Sequence, residues 1–198
     1  MYQLIIFDLG GVVFTNGTRR FIKALTQRYS LDQSKVKQVL DGSIGYDYRR
    51  GVLSRDEFWD KVISQLKLTE NSEKLEQEWI GYYELIEETK ELILKLRKKY
   101  QVWYLSNNVK ERAAALDKKF GFTKWFDGGI FSHEVGMIKP NPDIYRLLLE
   151  KAQVKPQKTI FIDDKESSLK PVAKLGITPV LFTGPENLKV KLTRLKIL

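Results

Sequence analysis

Past about Glu84 the chain keeps to a repeating order of helical stretch and short apolar run, and this order restricts the fold more than any other feature. Helical spacing over Glu88 to Lys99 leads into an apolar run at Val102 to Leu105. The stretch Val109 to Phe120 precedes a short run at Gly129 to Phe131, Pro142 to Ala152 precedes Thr159 to Ile162, and Ser167 to Leu175 precedes Thr178 to Phe182. With Leu4 to Phe7 at the start, strands separated by helices of this length predict an α/β, Rossmann-like parallel sheet with right-handed crossovers. Ligands on such a sheet bind beyond the carboxyl ends of the strands.

One long stretch breaks the order. From Thr18 to about Glu84, apolar residues such as Phe21, Leu25, Val36, Val39, Leu40, Phe58, Val62 and Leu66 recur at three and four, and no strand signal appears. Ser54 with Glu57 reads as a capping box opening one of these helices. The expectation is an inserted helical cap over 17–84 on a core of 1–16 and 85–198. Linkers near Thr15 to Gly17 and Tyr83 to Ile86 would let it open and close.

Composition excludes several classes. With 42% apolar and 30% charged residues among 198, the chain reads as a soluble globular protein. No apolar run approaches the roughly 20 residues needed to span a bilayer. The apolar start, Met1 to Phe14, lacks a basic leader and is interrupted by Asp8, so no signal peptide is expected. The absence of Cys removes disulfides and thiolate catalysis, and fits a cytoplasmic location. The net charge of +9 is dispersed over helix faces such as Lys90 to Lys99 and Lys189 to Lys196. A solvated surface that attracts anionic small molecules is expected, with no nucleic acid and no membrane partner. The C-terminal segment Asn187 to Leu198 reads as a helix packed on the sheet, and the oligomeric state is left open.

Chemistry collects at the strand ends. The first apolar run ends in Asp8, another in Ser106, and a third in Asp163-Asp164; Lys139-Pro140 lies in the loop before a helix. Taken singly, Asp8 can cap a turn beside Gly10-Gly11, Ser106 and Asn107 can cap a helix, and Lys139 can be a surface lysine. Two adjacent carboxylates after a strand as apolar as Ile160-Phe161-Ile162 repel one another unless a cation or a donor compensates. Acid, hydroxyl, cation and paired acid together are what phosphoryl chemistry requires. Mg2+ prefers oxygen ligands, which suits Asp8, Asp163 and Asp164. Lys139, Ser106 and the backbone N–H groups of Leu9 and Gly10 can bind phosphoryl oxygens, and Asp8 can attack phosphorus.

On these motifs the chain resembles the haloacid dehalogenase-like hydrolase superfamily over almost its full length. They are Ile5-Ile6-Phe7-Asp8-Leu9-Gly10-Gly11-Val12, Tyr104-Leu105-Ser106-Asn107, Lys139-Pro140 and Ile162-Asp163-Asp164. Their order resembles subfamily I, with a helical C1 cap between the first two. The run Phe131-Ser132-His133-Glu134-Val135-Gly136 before Lys139 is similar to the branch of glucose-1-phosphate phosphatase and the amino-terminal phosphatase domain of soluble epoxide hydrolases.

The resemblance implies a Mg2+-dependent phosphatase acting on a small phosphorylated metabolite, with Asp8 as nucleophile and metal ligand. It also implies the Gly10 carbonyl, Asp163 and Asp164 as further ligands, and phosphate binding by Ser106, Lys139 and Asn107, the last through its backbone or amide. One departure matters: most of these phosphatases carry a second Asp as general acid two residues after the nucleophile, where this chain has Gly10. Glucose-1-phosphate phosphatases of the branch also have Gly there. A lesser departure is Ser168, where relatives often have Asn. Two other readings stand beside this one: a metal-independent 2-haloacid dehalogenase-like hydrolase, and a catalytically weak binding protein. His133, in a loop before the lysine, is a candidate replacement acid whose simpler reading is a hydrogen-bonded loop residue. Trp59, Trp79, Tyr82 and Tyr83 read mainly as cap core, and Arg49 and Arg50 as either surface charges or cleft residues.

Overall fold

A computed structural model describes residues 1–198. The strands β1 (Leu4–Phe7), β2 (Gln101–Ser106), β3 (Gly128–Phe131), β4 (Thr159–Asp163) and β5 (Thr178–Leu181) form one parallel sheet in the order β3-β2-β1-β4-β5. Between β1 and β2 come α1 (Gly17–Tyr29), α2 (Gln33–Asp41), α3 (Ser43–Arg49), α4 (Arg55–Leu66), α5 (Ser72–Gly81) and α6 (Glu87–Leu96). The crossovers of the remaining sheet carry α7 (Lys110–Phe120), α8 (Ser132–Val135), α9 (Pro142–Ala152) and α10 (Glu166–Lys174), and α11 (Pro185–Arg194) follows β5.

Side-chain alternation explains why the strand runs are apolar throughout. Ile5 and Phe7 face one apolar cluster with Val102, Tyr104, Ile160 and Ile162, while Leu4 and Ile6 face the other with Leu105 and Phe161. A sheet covered on both faces leaves no room for polar alternation. On the second face lie Ile144, Tyr145 and Leu148 of α9 with Leu169 and Val172 of α10. The first face runs on without a break into the inserted helices, whose centre is Phe21, Phe58, Trp59 and Trp79, with Phe21 stacked on Trp79 at 5.2 Å between centroids. Helix α4 opens with the expected capping box of Ser54 and Glu57.

The inserted helices enter and leave through adjacent strands of chain. Phe14 and Leu85 form an antiparallel bridge, Thr15 N–H donates to the Glu84 carbonyl at 2.8 Å, and Ile86 N–H donates to the Val13 carbonyl at 2.9 Å. Elsewhere two expectations need correcting. The last helix stops at Arg194 instead of running to Leu198, and Lys196 has a left-handed φ of 58° that ends the helical path. His133 lies in the short helix α8 rather than in a loop, because Gly136, at φ 68°, closes a single turn after β3.

Candidate active site

Register brings the strand ends together. Phe7 is level with Tyr104 on one side and Ile162 on the other, so the next residue, Asp8, emerges between the ends of β2 and β4. Its N–H donates to the Ile162 carbonyl at 2.8 Å. The chain then turns tightly: the N–H groups of Val13 and Phe14 both reach back to the Leu9 carbonyl at 2.9 Å, and Gly11 N–H donates to Phe14. In consequence the N–H groups of Leu9 and Gly10 and the Gly10 carbonyl have no protein partner. Gly11 has φ 97°, and a Cβ there would stand 2.4 Å from Asp164 Oδ2. Only glycine lets Asp164 approach this turn.

Three carboxylates and one ammonium meet at that point. Lys139 Nζ lies 2.8 Å from Asp8 Oδ1 and 2.7 Å from Asp163 Oδ2, and all three residues are buried. The second oxygen of Asp163 accepts the Lys165 N–H at 2.8 Å. Asp164 is less well satisfied: Oδ2 accepts from Asn16 Nδ2 at 3.5 Å, and buried Oδ1 has no partner. One oxygen from each of Asp8, Asp163 and Asp164 lies within 4.8 Å of the others.

The electrostatics follow from this crowding. The Asp8 carboxyl is pushed up to about 7, chiefly by burial and further by Asp163 and Asp164, against the downward pull of Lys139. Asp164 is raised for the same reasons, burial first and Asp163 second. Burial disfavours the charged form of Lys139, but the carboxylates of Asp163 and Asp8 outweigh it and hold the ammonium well above its ordinary value. A cluster with more buried negative than positive charge, an orphaned carboxylate oxygen and only oxygen donors fits a hard divalent cation such as Mg2+.

The remaining expected residues divide by what they touch. Ser106 is buried, lines the cavity and has no hydrogen-bond partner for its hydroxyl. Asn107 also lines the cavity, but its side chain is committed elsewhere. Its Oδ1 accepts the Lys139 N–H at 2.8 Å and its Nδ2 donates to the Lys139 carbonyl at 2.9 Å. Of its two expected routes to a phosphate, the amide is therefore taken, and the residue braces the lysine. Ser168 borders the cavity, and its carbonyl accepts from the Tyr145 hydroxyl at 2.8 Å. His133 is not part of the cavity wall. Its Nδ1 is 3.0 Å from the Asn108 carbonyl and its ring stacks on Phe131.

The cavity measures about 590 Å³ and extends from Asp8 to the inserted helices. Trp59 and Trp79 are inside the helical cluster, whereas Tyr83 reaches the cavity, donating to or accepting from Thr18 Oγ1 at 2.8 Å. Arg49 faces the cavity and Arg50 does not, pairing instead with Asp47 at the surface. Asn16, Thr18, Lys37 and Asp41 also line it, and sequence reasoning missed them. Asn16 signalled only a helix N-cap, which it also is, accepting from Arg19 N–H at 3.0 Å.

A parallel sheet with this order, an acid after its central strand and a lysine bridging it to a second acid define a hydrolase class. The chain belongs to the haloacid dehalogenase-like hydrolase family, whose sequence model matches residues 2–176. It is similar to D-ribitol-5-phosphate phosphatase of Bacteroides thetaiotaomicron, with 27% identity over 94% of this chain and 93% of the relative. A solved structure of a family enzyme from the same organism, in complex with magnesium and inorganic phosphate, superposes with a TM-score of 0.75. It is 27% identical and covers 91% of this chain and 94% of that one. Pig bifunctional epoxide hydrolase 2 is 29% identical over 92% of this chain, which spans 36% of that larger protein. No helix of the chain is long and apolar enough to cross a membrane.

Proposed function

We propose that this hydrolase is a Mg2+-dependent phosphatase that hydrolyses a small, sugar-phosphate-like phosphomonoester through an aspartyl-phosphate on Asp8. The observation that carries the reading is the shared ammonium of Lys139, 2.8 Å from Asp8 and 2.7 Å from Asp163, beside the under-satisfied Asp164. The similarity to a polyol-phosphate phosphatase and to an enzyme crystallised with magnesium and phosphate supports it.

Asp8, the Gly10 carbonyl and Asp164 would hold the metal, with Asp163 adding charge while it anchors Lys139. When bound, Mg2+ neutralises phosphoryl charge that would otherwise repel the nucleophile. Lys139, the Ser106 hydroxyl and the free N–H groups of Leu9 and Gly10 bind the other phosphoryl oxygens. An Asp8 oxygen attacks phosphorus as the bond to the leaving oxygen breaks, and that oxygen departs with its negative charge and takes a proton from water. Water then attacks the same phosphorus, the bond to Asp8 breaks, and inorganic phosphate leaves with Asp8 restored. The helices of 17–84 act as a cap that closes on the substrate and excludes water.

Phosphate release from a panel of small phosphoesters, with Mg2+ and then with EDTA, tests this. Release that requires Mg2+ and is abolished by Asp8→Asn is expected. Metal-independent halide release from 2-haloacids, or an Asp8→Asn protein within tenfold of the parent, rejects it.

A further inference from the structure

We propose that Arg49 and Asp41 read the end of the substrate remote from the phosphate, and that this end is neutral and hydroxylated. The proposal rests on the phosphatase reading and adds to it the residues that choose the substrate.

Arg49, the last residue of α3, is 6% exposed yet lines the same cavity as Asp8. Its Nη2 lies 3.0 Å from Oδ1 of Asp41 at the end of α2, and its buried Nη1 has no partner. The guanidinium lies against Gly45, where a Cβ would come within 2.9 Å of Nη1. A guanidinium carries five donors, and leaving one buried without an acceptor is costly. Asp41 is part-exposed and also faces the cavity, so the pair presents a donor and an acceptor side by side.

The position of the pair is tied to the phosphate end. Ser132 Oγ donates to the Arg49 carbonyl at 2.6 Å and accepts the Asn108 N–H at 3.0 Å, and Asn108 follows closely on Ser106. The Ser132 hydroxyl thus spans from the phosphate-side loop to the recognition arginine. Ser132 belongs to the sequence run before Lys139 and is itself fully buried.

The chemistry selects the ligand. Hydroxyl groups can accept from the guanidinium and donate to the carboxylate at once. A second anion would meet the Asp41 carboxylate, which already pairs with Arg49. Arg112, the other buried cation near Arg49, is held over the rings of Trp79 and Tyr83 and does not line the cavity. An apolar tail would strip water from both groups and return nothing. Arg19 and Lys37 also border the cavity, but they are exposed and without ion-pair partners, which suits attraction of the phosphate over recognition of the far end.

The test measures binding in the Asp8→Asn protein, which holds ligand without turnover. With Mg2+ present, calorimetry compares a five-carbon polyol phosphate, pentyl phosphate, and a five-carbon phosphate ending in a carboxylate. The polyol phosphate should bind at least about tenfold more tightly than either. Adding Arg49→Gln or Asp41→Asn should cut that advantage below about threefold. Asp41→Asn is isosteric at a part-exposed position, so it decides the matter if Arg49→Gln does not fold. Equal binding of polyol and pentyl phosphates, tightest binding of the carboxylate, no binding of any ligand, or an advantage that survives Asp41→Asn overturns the proposal. Failure of the parent to release phosphate from any ester rejects the phosphatase reading separately, because the binding comparison does not depend on turnover.

Discussion

Gly10 stands where a general acid is expected, and the structure says whether an acid can be put back. Its φ lies outside the left-handed region, so an L-residue can take the same backbone. A Cβ built there meets only Tyr83 Cε1, at 3.5 Å, an ordinary contact. Gly10→Asp should therefore fold, with a backbone contribution of about 0.4–1 kcal/mol in its favour. The new carboxyl would join Asp8, Asp163 and Asp164, whose like charges favour its protonated form, the form a general acid needs. General acids contribute about 10²–10⁴-fold, mostly for poor leaving groups. The parent should show a steep fall in rate from nitrophenyl to phenyl to primary alkyl phosphates. Gly10→Asp should raise the alkyl rate about a hundredfold and the nitrophenyl rate only a few-fold. The assay is single-turnover phosphoryl transfer, with Asp8 phosphorylation limiting. A flat series in the parent would mean that another group, such as Tyr83, whose ring lies against Gly10 and whose hydroxyl is bonded to Thr18, already supplies the proton. A steep slope that Gly10→Asp leaves untouched would also refute the reasoning.

Three further outcomes follow from the charge cluster and its turn. Asp8 titrates near 7 in the folded metal-free protein and near 3.8 when unfolded, so its contribution to stability is complete below 3.8 and lost as pH rises through 7. Asp8→Asn should accordingly be more stable than the parent at pH 8, by at least about 1 kcal/mol, with the gap closing towards pH 4 in urea melts; a gap independent of pH would contradict the shift. Asp164→Asn and Asp163→Asn should both raise the Mg2+ concentration for half-maximal phosphate release, Asp164→Asn the more because Asp163 is bound to Lys139 and Lys165. Unchanged metal dependence in both removes the paired acids from the site. Gly11→Ala should cost at least about 2 kcal/mol, since φ 97° and a 2.4 Å overlap with Asp164 must both be relieved, and a wild-type melting curve would show that the turn yields to a side chain at this position.

Much of this was readable in the sequence because strand ends advertise themselves. Asp8, Ser106 and Asp163 each close an apolar run, and a sheet buried on both faces makes those runs continuous. The start of β3 was harder to see. Gly128 and Gly129 have no side chains because the rings of Trp103 and Tyr104 occupy that space, at 2.7 and 2.3 Å from where Cβ atoms would be. The inserted helices were evident from spacing, but their share of the site was not. Arg49 and Arg50 look alike in sequence, and only packing against Gly45 and Asp41 turns one of them into the cavity. The Asn107 brace on Lys139 likewise joins residues 32 positions apart, beyond any local pattern.

The paired linkers at Phe14 and Leu85 bear on how the chain finds its fold. The central strand β1 must find β2 across the whole insertion, with Leu4 opposite Gln101. Closing so long a loop in one step is entropically unfavourable and slows folding. If the inserted helices collapse first, their ends arrive already side by side, and the loop left to close is roughly a quarter as long. That lowers the closure cost by about 1 kcal/mol. φ-values near 1 at Phe14 and Leu85 would mark this order of events, and values near 0 would exclude it. The insertion would then speed assembly of the sheet it interrupts, acting as a folding nucleus as well as a cover.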